Sequence, residues 1–217
     1  MTGLLIKDFR LLKVQKNFFA LITFILFGQI LFAENNFFAI SFASLTFSLL
    51  SISTVSYDEF DNGNPFLFSL PVTRKGYVLE KYCFGLILGG SAWFVSTLLA
   101  VIVQLTKGAA SLSDLLLPPL AFLPLVLFFL AVMLPIQLKF GSEKGRIVLI
   151  GVIGLIFLLG ILAVKAAEAL HIDLAFLFNH LSSLSMSALI FGAIAVMLLL
   201  LLLSLKISMA VMNRKEF

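Results

Sequence analysis

Few residues in this chain are of a type and spacing that could do chemistry, and they concentrate in one place. Between Tyr57 and Lys81 the sequence reads YDEFDNGNPFLFSLPVTRKGYVLEK, the longest polar interruption in a chain that is otherwise almost continuously apolar. Asp58, Glu59 and Asp61 are followed by the turn signal Asp61-Asn62-Gly63-Asn64-Pro65. A short apolar group, Phe66, Leu67, Phe68 and Leu70, is then closed by Pro71. Thr73 is placed to cap a helix through Arg74, Lys75, Tyr77, Leu79, Glu80 and Lys81. Acids, a turn and a short amphipathic element belong in water at a membrane face, where another protein can dock. The residues alone leave two readings open: an element that passes movement between a partner and the membrane, or a loop resting on the bilayer with Phe66 and Phe68 dipped into it.

Other candidate chemistry is thin. His171 and His180 stand nine residues apart beside Glu168 and Asp173, donor types that hold a metal. Nine residues do not bring two imidazoles to one face of a short helix, so no metal is assigned. The chain has no GxxxxGK[ST] phosphate loop, HExxH or GxSxG, so neither nucleotide hydrolysis by a phosphate loop nor any cofactor is assigned to it. Cys83, the single cysteine, excludes an intramolecular disulfide and reads as a helix-packing residue.

The elements that carry these residues are membrane spans. With 217 residues, 61% of them hydrophobic and 12% charged, the chain has too little polar surface to coat a soluble core. A span needs roughly 20 apolar residues, and six stretches qualify, near 17–33, 36–56, 82–106, 115–138, 147–165 and 187–209. The fold class is all-α and polytopic, in one domain over 1–217, with both ends on one side. Glu34, Asn35 and Asn36 make a tight hairpin of the first two spans, and the 166–186 segment has room for a short interfacial helix. All but Lys107 and Lys165 of the 15 Lys and Arg fall on one side, so both termini and the 57–81 loop are assigned to the cytoplasm. The net charge of +4 is then topology signal and contact with anionic lipid, with no nucleic acid implied.

Within the spans, Pro118, Pro119, Pro124 and Pro135 predict a fourth helix that is not one straight rod. Gly85 and Gly89 in the third span, and Gly151 and Gly154 in the fifth, predict close helix approach, mostly within the chain. Ser41, Ser44, Thr46, Ser48, Ser51, Ser53 and Thr54 make the second span rich in hydroxyls, for packing or for lining a path. The spans hold essentially no ionisable residue, which argues against an ion-coupled carrier with a charged midplane and against an intramembrane enzyme. Residues 3–16 read as a helix on the cytoplasmic surface, Leu5, Phe9 and Leu12 on one side, Lys7 and Arg10 away from them. The charges in these first turns exclude a cleavable signal's apolar core, so no processing is expected.

At this point the residues resemble a family. Tyr57-Asp58-Glu59, Asn62-Gly63, Ser69 to Lys75, Tyr77-Val78-Leu79 and Lys81-Tyr82 are similar to the first cytoplasmic loop of small bacterial ABC-2 type permeases. The likeness is particularly to the short Gram-positive group that includes phenol-soluble modulin exporter permeases and antimicrobial-peptide immunity transporters. The resemblance implies an N-terminal connecting helix and a coupling helix, here about Asn64 to Leu70 and including Pro65, that enters a groove of an ATPase subunit. Asp58, Glu59, Asp61, Arg74 and Lys75 would flank that contact, and Lys139 to Arg146 would add a lesser one. It implies two permease chains, the same or related, and two ATPase chains holding ATP and Mg. A hydrophobic or amphipathic cargo, peptide above all, would suit the Phe-rich, charge-poor spans. The competing class is a membrane immunity or sensor protein that binds peptide and a cytoplasmic partner without moving anything.

Overall fold

A computed structural model describes residues 2–32, 36–60, 63–108, 112–169 and 185–215, and every regular element among them is a helix. The helices are α1 (Thr2–Val14), α2 (Lys16–Phe32), α3 (Phe37–Glu59), α4 (Gly63–Ser69), α5 (Arg74–Thr106), α6 (Leu112–Leu120), α7 (Leu123–Ala169) and α8 (Met186–Arg214). Five segments are long and apolar enough to cross a membrane: Phe37–Glu59, Arg74–Thr106, Leu115–Gly141, Ile147–Ala167 and Met186–Arg214. A sixth is reached only when α1 and α2 are counted together, as a pair bent by 74°. The hairpin residues 33–35, the Asp61-Asn62 turn, His171, Asp173, His180 and most of the 166–186 segment lie outside the described residues.

The centre of the fold is α3 packed on α5, and small residues bring the two together. A Cβ at Gly89 would lie on Ser48 Oγ and 3.1 Å from Val126 Cγ1; one at Gly85 would meet Leu130 and Ser51 at 2.7 and 2.8 Å. Only glycine leaves room there. The facing hydroxyls on α3 turn back to their own helix: Ser44 donates to Ile40 O (2.7 Å), Ser48 to Ser44 O (2.7 Å), Ser51 to Ser48 O (2.8 Å) and Thr54 to Ser51 O (2.8 Å). Buried and satisfied this way, they serve packing and line no path within this chain.

Prolines shape α6 and α7. The helix breaks at Ala121 and Phe122, just after Pro118 and Pro119, and restarts with Pro124 in its first turn, where a missing N–H costs little. Pro135 lies inside α7 and has no N–H to give the Ala131 carbonyl four residues back. Ser204 of α8 supplies the missing donor to Ala131 O. Ser204 and Ser208 also bond the Tyr82 hydroxyl at 2.6 and 2.8 Å, which ties α5, α7 and α8 at one point. Around it sits the main apolar core, with Val55, Val78, Leu130, Leu134, Leu138, Leu201 and Met212.

At Gly141 the run of α7 kinks through φ 76° and ψ −178°, a conformation that suits glycine. Beyond it, from Ile147 to Val164, no described side chain is buried. Gly151 and Gly154 therefore differ from the expectation of contacts within the chain: nothing lies within 4 Å of a Cβ at either.

Candidate functional site

The Tyr57–Lys81 segment forms a small helical platform. Helix α3 ends at Glu59, Phe60 is extended, and α4 starts so close beneath it that a Cβ on Gly63 would lie 2.7 Å from the Asp58 carbonyl oxygen. Leu70 to Thr73 then lead into α5, where the Thr73 side chain accepts from Gly76 N at 3.1 Å, the cap expected from the sequence.

Helix α4 has two sides. Asn64 and Leu67 face inward, and Phe68 is half-buried with its ring edge-on to Tyr77, centroids 5.6 Å apart. Pro65, Phe66 and Leu70 face outward, Phe66 with 71% of its surface exposed. The apolar group read as a unit in the sequence is thus divided into anchors to the body and an outer ridge.

The charged residues beside it are mostly engaged within the chain. Glu59 pairs with Lys215 at 3.0 Å. Arg74 donates to the carbonyls of Met212 and Asn213 at 3.2 and 2.9 Å, closing the end of α8. Lys75 is exposed, and Asp61 lies outside the described residues. Lys139, in the second expected contact, is exposed next to the Gly141 break.

Beneath α4 is a feature that sequence reasoning missed. Asp8, Glu80 and Lys81 are fully buried and Asp58 nearly so. Lys81 Nζ pairs with Asp8 and with Asp58 (2.8 Å) and donates to Thr54 Oγ1 (3.0 Å). Lys7 bridges the same two acids, bonding Asp58 and lying 3.2 Å from Asp8. Tyr77 donates its hydroxyl to Asp58 at 3.0 Å. Burial works against the Lys7 charge, but its bonds and attraction to Asp58 and Asp8 prevail and hold its pKa above the usual lysine value.

The ends of α3 and α5, just outside the apolar stretches 36–56 and 82–106, carry buried ionisable groups, which is possible because acids and lysines neutralise one another there. One expectation is overturned. Lys7, expected on the outer face of α1, turns inward instead, and Leu5 and Leu12 pack against the cluster of Leu50, Phe84 and Leu88 while Phe9 meets the Phe84 ring edge-on at 5.2 Å. The available signal was an Asp8 set among cations, with Lys81 at the mouth of a span.

Chemically the site is a mount. No cluster of metal-ligating side chains exists among the described residues. It joins α1, α3 and α5 through charge-assisted bonds, and α4, packed on it through Leu67 and Phe68, holds an apolar ridge outward. A family model described as ABC-2 family transporter protein matches residues 3–213. No curated protein and no solved structure matches the chain.

Proposed function

The chain belongs to the ABC-2 family of transporter proteins, and on that premise we propose that it is the membrane subunit of an ATP-driven exporter, coupled through α4 to a separate ATPase that binds the ATP and Mg. The observation that carries this reading is the division of α4: an exposed ridge of Pro65 and Phe66, continued by Leu70 just past the helix end, on a helix fixed from behind by Leu67 and Phe68. An exposed Phe on a rigid base is a docking anchor.

A push on that ridge has little slack to absorb it. Phe68 presses on Tyr77, Tyr77 holds Asp58 at the end of α3, and Asp58 holds Lys81 in α5 and Lys7 in α1. Closure of the ATPase subunits on ATP would then move α1, α3 and α5 as one body. Helix α5 runs unbroken for 33 residues, about 50 Å at 1.5 Å per residue, so a tilt at one end reaches the other side of the bilayer. The same network supports the proposed orientation, since the Lys7 and Asp8 pairs bring α1, and the Glu59–Lys215 pair and the Arg74 bonds bring the end of α8, to the α4 loop at one face, taken as cytoplasmic. The exposed Ile147–Val164 face, with Gly151 and Gly154 open on it, is where a second permease chain could pack. A hydrophobic or amphipathic cargo, a peptide in the first instance, suits spans whose buried charges stand at one end.

Co-purification of the full chain with its cognate P-loop ATPase in mild detergent tests the reading. Burying one Phe is worth about 1.5–3 kcal/mol, so Phe66→Ala should weaken the complex at least about tenfold while leaving the thermal midpoint unchanged. Phe68→Ala should lower the midpoint, because its contact is internal. ATPase binding that ignores Phe66→Ala would count against α4 as the coupling element.

A further inference from the structure

A cavity of about 460 Å³ lies between α7, just before its Gly141 kink, and the C-terminal end of α8, lined by Lys139, Ile207, Ala210, Val211, Arg214 and Lys215. We propose that it is a binding site for the headgroup of an anionic phospholipid, with the acyl chains laid along α8.

The charge is one-sided. Lys215 is held in place by Glu59 (3.0 Å) and by the Leu138 carbonyl (3.1 Å), so Glu59 offsets one of the three cations. Lys139 and Arg214 are exposed, and no carboxylate of the described residues lies within ion-pair distance of either. The carbonyls at the end of α8 would repel an anion. Those of Met212 and Asn213 are engaged by Arg74 instead. Among the described residues, what faces the cavity is net positive charge on a floor of apolar side chains.

That floor continues into the membrane. Ile207, Leu203 and Leu199 recur every four residues on α8, one face of the helix, and are 56%, 55% and 63% exposed. An acidic protein surface would be met by the cations alone, whereas a phospholipid uses both halves: phosphate against Lys139 and Arg214, chains along the stripe. A basic pocket between membrane helices at the cytoplasmic side suits such a headgroup, and this reading stands independently of any ATPase.

The test uses the full chain in mild detergent without the ATPase, titrated with phosphatidylglycerol, phosphatidylcholine and inorganic phosphate and read by native mass spectrometry. Phosphatidylglycerol should bind in preference to phosphatidylcholine. Each cation near an anionic lipid is worth about fivefold, so Lys139→Gln with Arg214→Gln should lower phosphatidylglycerol affinity about thirtyfold and leave phosphatidylcholine unchanged. Lys206→Gln removes an exposed cation from the same helix outside the cavity lining, and should lower affinity clearly less than the double variant does. Unaltered thermal midpoints establish that the variants are folded. Equal binding of the two lipids, no loss in the double variant, or an equal loss with Lys206→Gln would overturn the site. Phosphate competing as well as lipid would make it a bare anion site, and loss of ATPase binding with lipid preference intact would make it a protein contact; either result also overturns the proposal.

Discussion

Replacing Lys81 by Met is the most informative perturbation of the buried network. Lys81 has no exposed surface, and its ammonium serves Asp8, Asp58 and Thr54 together. Met fills nearly the same volume, so the loss is electrostatic and no cavity is opened. Removing one partner of a buried ion pair costs about 3–5 kcal/mol. The lower figure applies here, because Asp58 keeps Lys7 and the Tyr77 hydroxyl while Asp8 keeps only Lys7, at 3.2 Å. At about 2–4 °C per kcal/mol for a chain of this size, the thermal midpoint should fall by about 9 °C. Cys83, free and half-buried two residues further along α5, is a built-in reporter for a thiol-reactive dye during heating. Asp8→Asn in the Lys81→Met background removes the stranded charge and should restore about 2 kcal/mol, although Asp8→Asn alone destabilises. A midpoint within about 2 °C of wild type, or a double variant that is simply the sum of the two singles, would refute the reasoning.

Two further outcomes follow from the packing. Ser204→Ala leaves the Ala131 carbonyl without a donor and should cost about 1–3 kcal/mol; with Pro135→Ala present, the new N–H at position 135 can take that carbonyl, and the cost of Ser204→Ala in the same thermal assay should fall below about 1 kcal/mol. Gly89→Ala forces a Cβ onto Ser48 Oγ and should cost about 1–3 kcal/mol, partly regained with Ser48→Ala. Gly90→Ala, with nothing within 4 Å of its Cβ, should be neutral or mildly stabilising.

Features governed by local physics were legible in the sequence. Hydrophobic length located five of the six expected spans, the first qualifying only as the bent pair of α1 and α2, while proline positions foretold the break at Ala121 and Phe122, and Thr73 announced the start of α5. Gly85 and Gly89 marked a close helix contact because nothing but missing side chains permits one. Gly151 and Gly154 have the same appearance in sequence and no neighbour within 4 Å of a Cβ among the described residues, since spacing does not reveal which helix comes to face a small residue. The buried network was hidden for a related reason. Lys7 and Lys81 count as cytoplasmic cations wherever they point, and the pairing of Asp8 with Lys81 joins residues 73 apart through the folding of α1 onto α5. In α4, seven residues with four apolar side chains carry too little periodicity to say that Leu67 turns in and Phe66 out.

The central claim, that the outer ridge of α4 is seated in the ATPase, is tested most directly by site-directed cross-linking. In a Cys83→Ser background, which removes the only native cysteine, Phe66→Cys and Leu67→Cys chains are assembled with the cognate ATPase and treated with a short thiol-to-amine cross-linker. The account predicts a product of permease joined to ATPase from Phe66→Cys and none from Leu67→Cys. Equal products from both positions, or none from Phe66→Cys in an assembled complex, would contradict it.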